Sequence, residues 1–344
     1  MKRLFVALLA VAMLVSMTAC GAATKEAEYK LGMGIDVSTA SSKAGTAQVD
    51  ATVATVVLDK DGKIVDCKLD VAQSKLGIAD GELEEGAADK AFKTKQELKE
   101  EYNMKAASPI GKEWYEQAKF LEDYVVGKTA AEVAAIATKQ KDDHHTAVPA
   151  DADLAAGCTM DIGAFKAAIA KACADDQAKS FKASEMKLGL AVVTSAKESK
   201  AADDENDGSA NIYSTFSAMV VDANGKTLAA IVDSIQPKIG FDAEGEITEA
   251  KYTDTKRVLK DGYNMKATSA KMGKIEGGAE WFEQAEFLTD YVAGKTADEI
   301  TAIATTKRDD SHPAVPANDD LLAGCTMNIS DYKEAMAKAI GLAD

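Results

Sequence analysis

The sequence has few of the residues on which specialised scaffolds depend. It contains five cysteines and five prolines in 344 residues, with 47% hydrophobic and 28% charged residues, which excludes a disulfide scaffold, a collagen-like repeat and a disordered chain. Basic residues are outnumbered, with 40 Lys and Arg against 56 Asp and Glu, and the net charge is −16. A chain with this charge is repelled by phosphate backbones, so we expect no nucleic-acid partner.

Common catalytic and metal-binding motifs are also missing. No spacing of the three histidines and five cysteines fits a zinc site. The sequence contains no P-loop, no dinucleotide-binding fingerprint and no Gly-x-Ser-x-Gly elbow. We therefore predict neither a metal site nor catalytic residues, and these observations leave open whether the protein is an enzyme.

The first twenty residues have the pattern of an export signal. Lys2 and Arg3 precede an apolar stretch, Leu4 to Ser16, which is too short to span a bilayer comfortably, and small residues then lead to Cys20. The pattern resembles a bacterial lipobox, so we predict a signal peptide over 1–20, lipid attachment at Cys20 and a tether over 21–28. The mature chain would then be anchored to the cell membrane, facing outside the cytoplasm. An ordinary secretory signal with a chance cysteine is the alternative.

An internal repeat is the strongest signal in the sequence. Four blocks that begin at Tyr102, Trp114, Tyr124 and Asp153 recur at Tyr263, Trp281, Tyr291 and Asp320. The offset is 161 at the first block and 167 afterwards, so the second copy has a six-residue insertion near Met272. A repeat this long indicates duplicated domains rather than a solenoid. We predict one domain over 29–175, a linker over 176–185 and a second domain over 186–344, each able to fold alone.

Each copy has alternating strands first and helices afterwards. Asp61-Gly62 and Asn224-Gly225 predict tight hairpin turns between two strands. Thr129 and Thr296 each precede a glutamate by three residues, which predicts capping boxes at helix starts. We expect the last helix of each copy to be capped by Asp161 or Asn328. This order predicts an α+β fold in which an antiparallel sheet packs with helices.

The repeated Asp-x-x-Ala-Gly-Cys-Thr segment is the best candidate for chemistry. Its members are Asp153, Gly157 and Thr159 in the first copy, and Asp320, Gly324 and Thr326 in the second. We expect the glycine to permit a tight or left-handed turn. We also expect each threonine to lie on an exposed turn before a helix, where unpaired N–H groups and the helix dipole favour an anion. A plain loop whose threonine caps the helix is the alternative.

This motif and the order of elements resemble the FMN-binding domain of exported flavoproteins, in which the FMN phosphate is esterified to a threonine. The family motif is Asp-x-x-Ser/Thr-Gly-Ala-Thr, so Ala156, Cys158 and their counterparts Ala323 and Cys325 depart from it. The resemblance implies one covalent FMN on each of Thr159 and Thr326. It also implies that the six motif residues form the two cofactor-binding sites, and that a Mg²⁺-dependent flavin transferase attaches the FMN, using FAD and reading the carboxylate of Asp153 or Asp320.

The whole chain resembles two-domain, pheromone-type FMN-carrying lipoproteins of Gram-positive bacteria. This resemblance implies an electron carrier, rather than a substrate-specific enzyme, that passes electrons from a quinone-linked membrane reductase to extracellular acceptors. It also implies that the signal peptide yields a short peptide pheromone. An interaction or signalling lipoprotein without flavin, or a solute-binding lipoprotein, is the alternative function.

Other repeated residues have two interpretations each. His145 and His312 are equivalent, and are either solvated loop residues or groups near a flavin. Trp114 and Trp281 either stack on a flavin ring or belong to the core, and their helical spacing favours the core. Lys105 and Lys266 either neutralise a phosphate or are ordinary surface lysines.

Overall fold

The structure is a computed structural model that describes residues 26–203, 205–310 and 312–344. The predicted signal peptide, the predicted lipid attachment site at Cys20 and most of the predicted tether lie outside these residues. Within the described part of the chain, no helix is long and apolar enough to cross a membrane.

The first half consists of a long antiparallel meander followed by helices. Its strands are β1 (Ala27–Ser38), β2 (Thr46–Leu58), β3 (Ile64–Ala79), β4 (Glu82–Leu83), β5 (Thr138–Lys139) and β6 (Val148–Pro149). Its helices are α1 (Lys95–Leu98), α2 (Trp114–Val125), α3 (Ala130–Ala134), α4 (Ala152–Ala155) and α5 (Gly163–Cys173), with short 3₁₀ turns at Ala87–Asp89 and Lys99–Tyr102. The Asp61-Gly62 hairpin is confirmed, because β2 and β3 pair on either side of it and Gly62 has φ 74°.

The second half has the same order of elements with shorter strands. Its strands are β7 (Lys179–Ala183), β8 (Lys187–Ser195), β9 (Gly208–Asn211), β10 (Tyr213–Val221), β11 (Thr227–Ile235), β12 (Lys238–Phe241), β13 (Ile247–Lys251), β14 (Thr305–Thr306) and β15 (Val315–Pro316). Its helices are α6 (Lys256–Leu259), α7 (Lys266–Lys271), α8 (Trp281–Tyr291), α9 (Ala297–Thr301), α10 (Asp319–Leu322) and α11 (Ser330–Gly341), with a 3₁₀ turn at Lys260–Tyr263. Pro237 separates β11 from β12 because it has no N–H to donate to a ladder.

The sheets pack face to face and the helices cover their outer faces. The first sheet has the order β4-β3-β2-β1-β7 and the main sheet of the second half has the order β11-β10-β8, with every pair antiparallel. One apolar cluster lies between these sheets, and two others lie between each sheet and its own helices. The α+β prediction with antiparallel sheets is therefore confirmed.

One apolar cluster is shared by the two halves, and independent folding of each half stays a prediction. It joins Leu31, Val49 and Ile78 of the first half to Leu188 and Phe216 of the second. An isolated first half would expose this apolar sheet face to water, at a cost of about 25 cal/mol for each Å². The halves therefore depend on each other for burial of their sheets.

The segment predicted as a linker is part of the fold. Within 176–185, strand β7 adds to the edge of the first sheet by pairing with β1. Just before it, the carboxylate of Asp175 makes a bidentate ion pair with Arg257, at 2.9 and 3.1 Å, and both side chains are nearly buried. Asp175 also accepts a hydrogen bond from the N–H of Met33. Residues 175–183 therefore make contacts with both halves of the chain.

Two further contacts join the halves in a reciprocal way. The N–H of Gly45, between β1 and β2, donates to the carbonyl of Gly245, between β12 and β13. In the opposite direction, the N–H of Ala202, between β8 and β9, donates to the carbonyl of Gly81, between β3 and β4. Strand β3 lies against β8, and β1 lies against β11. The two halves are therefore related by an approximate two-fold axis between the sheets.

Glycines let the last helix of each half lie directly on its sheet. A Cβ at Gly32 would come within 2.1 Å of the carbonyl oxygen of Ala172 on α5, and one at Gly189 within 1.9 Å of that of Ala339 on α11. No side chain fits in these gaps, so α5 and α11 pack against backbone. This close contact fixes the helix that follows each candidate turn.

The predicted caps of these last helices differ by one residue from the structure. The cap positions are Ile162 and Ile329, whose side chains make no capping hydrogen bond. Asp161 still accepts from the N–H of Gly163 at 2.9 Å, and the side chain of Asn328 accepts from the N–H of Ser330 at 3.3 Å. The capping boxes at Thr129 and Thr296 are present as predicted.

Candidate functional site

The candidate turn follows a short helix in each half. Asp151 caps α4 by accepting from the N–H groups of Asp153 and Leu154, and Asn318 caps α10 in the same way through the N–H of Leu321. Asp153 and Asp320 lie in the first turns of these helices and are exposed. Both carboxylates are therefore accessible to an external partner, whereas the chain on the other side of each helix turns into the core.

The glycine of the motif is required for a close approach, not for a left-handed turn. Gly157 and Gly324 lie in tight turns but do not have positive φ angles, so of the two expected geometries only the left-handed one is wrong. An added Cβ at Gly157 would lie 2.2 Å from the ring of Phe120 on α2, and one at Gly324 would lie 2.2 Å from the ring of Phe287 on α8. In both halves an aromatic ring packs flat against the turn and fixes its position.

A buried glutamine holds the predicted acceptor threonine in each half. The N–H and the hydroxyl of Thr159 both donate to Oε1 of Gln117, at 2.8 and 3.2 Å. Thr326 makes the same pair of bonds to Oε1 of Gln284, at 2.8 and 3.1 Å. Both glutamines have no exposed surface. Because buried polar groups must be paired, each glutamine defines where the threonine hydroxyl lies.

The side-chain NH₂ group of each glutamine also makes hydrogen bonds, which fix the orientation of the amide. Nε2 of Gln117 donates to Oγ of Ser108 and to the carbonyl of Lys112, and Nε2 of Gln284 donates to Oγ of Ser269 and to the carbonyl of Ala279. These contacts determine which end of each amide is the oxygen. The threonine therefore has an acceptor, not a donor, on its buried side in both halves.

The two threonines differ in exposure. Thr159 is half-buried, but Thr326 is only 2% exposed. The expectation that both hydroxyls lie on an exposed turn is therefore wrong for Thr326. Since both threonines make the same contacts with their glutamines, the difference must come from residues outside the turn.

The first N–H group of the helix that follows each threonine is occupied. Helices α5 and α11 begin at Gly163 and Ser330, four residues after each threonine, and the N–H of Gly163 is bound by the carboxylate of Asp161. The other oxygen of Asp161 accepts from the N–H of Ala147 at 2.8 Å. The carboxylate of Asp161 therefore already occupies one N–H group at the start of α5 and one in the preceding hairpin.

A hairpin beside each turn supplies a cation and a histidine. In the second half, Nη1 of Arg308 donates to the carbonyl of Thr326 at 3.1 Å, and Lys141 has the equivalent position in the first half. Nδ1 of His312 lies 2.7 Å from Oδ1 of Asp309, and His145 makes the same contact with Asp142. The hydrogen bond from histidine lowers the pKa of each aspartate below its ordinary value.

The cysteines of the motif are not reactive groups. Cys158 and Cys325 are fully buried, and burial raises their thiol pKa values to about 11 and about 12. A thiol with such a pKa carries almost no thiolate at neutral pH. These residues pack in the core where the related motif has alanine, and all four cysteines in the described residues are unpaired, as expected.

The tryptophans belong to the core. Trp114 and Trp281 are 3% and 2% exposed and pack on Phe165 and Tyr332, with ring centroids 6.1 Å apart in both cases. The core interpretation is confirmed, and neither ring is available to stack on a ligand.

The lysines considered as phosphate groups are on the surface. Lys105 and Lys266 are exposed, and their N–H groups donate to the buried carboxylates of Glu113 and Glu280. The side chains of both lysines therefore lie at the surface, while their backbone N–H groups are bound by the two glutamate carboxylates.

Sequence reasoning missed Gln117, Gln284 and Arg308. A signal for the glutamines was present, because Gln117 follows Trp114 by three residues and so lies on the apolar face of α2. A polar residue that recurs on a buried face needs a partner. No comparable signal marks Arg308, because its contact with Thr326 depends on how a hairpin folds back over the turn.

Comparison with known proteins gives a partial similarity. No family model matches the chain, and no solved structure matches it. Chlorophenol reductase from Desulfitobacterium hafniense is 38% identical over 96 residues, which cover 25% of this chain and 29% of that protein. The matched part thus spans less than a third of the relative's length. This similarity does not assign the chain to a family.

Proposed function

We propose that this protein is an electron carrier that bears FMN as a phosphoester on Thr159 and on Thr326. Anchored through Cys20 outside the cytoplasm, it passes electrons from a quinone-linked membrane reductase to extracellular acceptors. The observation that carries the proposal is the repeated turn, in which a buried glutamine holds a threonine hydroxyl six residues after an exposed aspartate. Similarity to a protein named as a reductase is consistent with a redox role.

The contacts at Thr159 fit an ester acceptor. Its hydroxyl proton points to Oε1 of Gln117, which leaves the lone pairs of Oγ1 facing away from the core. In the transfer, Oγ1 attacks the phosphorus of FAD that carries the flavin. The bond between this phosphorus and the AMP oxygen breaks, AMP leaves, and the hydroxyl proton passes to a base of the transferase. No oxidation or reduction occurs in this step.

The other residues have separate roles in this proposal. Asp153 and Asp320 are the exposed carboxylates that the transferase reads, by way of its Mg²⁺, because hard cations prefer carboxylate oxygen. Gly157 and Gly324 keep the turn against its aromatic ring. Bound FMN supplies the redox chemistry, and the protein fixes its point of attachment.

Intact mass after co-expression with a flavin transferase tests the proposal. We expect flavin that survives denaturation, lost from the first half in Thr159→Ala and from the second in Thr326→Ala. Thr159→Ser keeps a hydroxyl and should keep the label. Asp153→Asn should reduce labelling at Thr159 and leave Thr326 unchanged.

The control is a domain with the Asp-x-x-Ser-Gly-Ala-Thr motif, expressed with the same transferase. If that control is labelled and this protein is not, the proposal is wrong. The repeated turn would then be an element of an interaction or signalling lipoprotein, in which the threonine has only its structural contact with glutamine.

A further inference from the structure

The two halves differ in the connection that leads to the helix bearing the glutamine. Between the equivalent residues Ser108 and Glu113 lie four residues, 109–112, whereas between Ser269 and Glu280 lie ten, 270–279. The longer connection contains the end of α7 and three glycines with positive φ, Gly273, Gly277 and Gly278. It is the six-residue insertion identified from the repeat.

This connection is joined to the second candidate turn by one side chain. Nη1 of Arg308 contacts Sδ of Met272 at 2.8 Å and donates to the carbonyl of Thr326 at 3.1 Å. Arg308 itself is anchored by Asp309, whose Oδ2 lies 3.2 Å from Nε. The side chain of Arg308 therefore spans from the insertion to the acceptor residue.

The first half has no such bridge. Lys141 replaces Arg308, and the short connection over 109–112 has no residue equivalent to Met272. An ammonium group carries its three donors on a single nitrogen, whereas a guanidinium group spreads five donors over three nitrogens of a rigid planar fork. Thr159 is half-buried and Thr326 is buried, although both make the same bonds to glutamine.

The connection is packed firmly enough to act as a cover. A Cβ at Gly278 would lie 2.3 Å from the carbonyl oxygen of Lys266 and 2.6 Å from the N atom of Ala270, so the segment lies directly on α7. Its far end continues into Ala279, whose carbonyl accepts from Gln284. Movement of the connection would therefore disturb the glutamine that holds Thr326.

We propose that residues 270–279, with Met272 and Arg308, form a cover over Thr326, so that the flavin transferase modifies Thr159 first. Thr326 becomes an acceptor only when the cover opens. This inference rests on the proposed function, because it concerns the order in which its two acceptors react. The structural part, the cover itself, does not depend on flavin.

Hydrogen exchange of the unlabelled protein tests the cover without any flavin. The N–H groups of Thr159 and Thr326 have the same acceptor type at the same distance, 2.8 Å, so they are a matched pair. Both N–H groups must first break their bond to glutamine, and that of Thr326 needs the cover to open as well, so we expect it to exchange at least about tenfold more slowly. Equal exchange rates would show that the cover does not exist.

Variants that remove the cover should abolish the difference. The first variant replaces residues 270–279 with the sequence of residues 109–112 from the first half. Two milder variants carry the single substitutions Met272→Ala and Arg308→Lys. Each should speed exchange at Thr326, and Lys141→Arg in the first half serves as the matched control with no change at Thr159. If the replacement does not fold, the point variants still decide the question.

A labelling time course followed by intact mass completes the experiment. In the wild type we expect labelling of Thr326 to lag that of Thr159 by about tenfold, and the variants to bring the two rates within about threefold. Thr159→Ala should leave the slow rate at Thr326 unchanged, which excludes an effect of the first flavin on the second. Equal wild-type rates would overturn the cover but not the proposed function. Unequal exchange with no label on either threonine would overturn the proposed function but not the cover.

Discussion

Glu122 is a buried carboxylate whose replacement should make the protein more stable above neutral pH. It lies on α2, the helix that carries Gln117, and is 3% exposed. Its Oε1 accepts a hydrogen bond from the N–H of Leu69 at 2.8 Å, while its Oε2 lies 4.0 Å from Nζ of Lys119, at the limit of an ion pair. Burial raises the pKa of this carboxyl from 4.5 to about 7. The second half has Thr289 at the equivalent position, so the charge is not needed by the fold.

The direction of the pH dependence follows from this shift. The folded state binds the proton more tightly than the unfolded chain, so the free energy of unfolding falls as pH rises from about 4.5 to about 7. At about 1.4 kcal/mol for each pKa unit, ionisation of Glu122 lowers the free energy of unfolding by at most about 3.5 kcal/mol above pH 7. Glu122→Gln keeps the acceptor for Leu69 and has no charge. It should therefore raise the free energy of unfolding by about 1–3 kcal/mol at pH 8.

Urea unfolding followed by circular dichroism at pH 5 and pH 8 measures this effect. The wild type should lose stability between the two conditions, and the variant should lose less. The remaining dependence in the variant would come from Asp70, whose pKa burial raises to about 6. An equal difference between wild type and variant at both pH values would refute the reasoning, because it would show that the carboxyl does not titrate between them.

Two other substitutions test the packing around the site and between the halves. Gly157→Ala should lower the free energy of unfolding by about 1–3 kcal/mol, because its Cβ meets the ring of Phe120. In a Phe120→Ala background the same change should have little effect. An equal loss in both backgrounds, measured by urea unfolding, would contradict the contact. Arg257→Met leaves the nearly buried carboxylate of Asp175 without its cation and should cost about 3–5 kcal/mol. Lys260→Met is the control: it breaks an exposed ion pair with Asp176 and should lower the free energy of unfolding by less than about 1 kcal/mol. Similar losses from the two variants would argue against a special role for Arg257.

Local features of the fold could be predicted from the sequence because they depend on neighbouring residues. The Asp61-Gly62 hairpin, the capping box at Thr129 and the buried face of α2 are of this kind. The packing of one sheet on the other was not predicted, although β2 carries the signal for it. From Ala51 to Leu58 every residue of this strand is buried, as in a strand covered on both faces.

The candidate site could be predicted only as a segment. The repeat identified Thr159 and Thr326, but their exposure depends on residues far away in the chain. The insertion was recognised from the change of offset, yet its position over Thr326 depends on a contact between Met272 and Arg308, which are 36 positions apart. No local pattern encodes such a contact. The role of Gly157 was misjudged for the same reason, since the ring of Phe120 approaches from another helix.

The approximate two-fold axis between the sheets has a consequence for the history of the chain. Two equal halves that bury the same face against each other, with reciprocal bonds at Gly45 and Gly81, have the arrangement of a symmetric homodimer. In a homodimer encoded by one sequence, every substitution enters both subunits. Fusion into one chain removes that constraint, so an insertion near Met272 alters one turn and leaves its partner unchanged. The difference between Thr159 and Thr326 is therefore of a kind that a homodimer of one sequence cannot acquire.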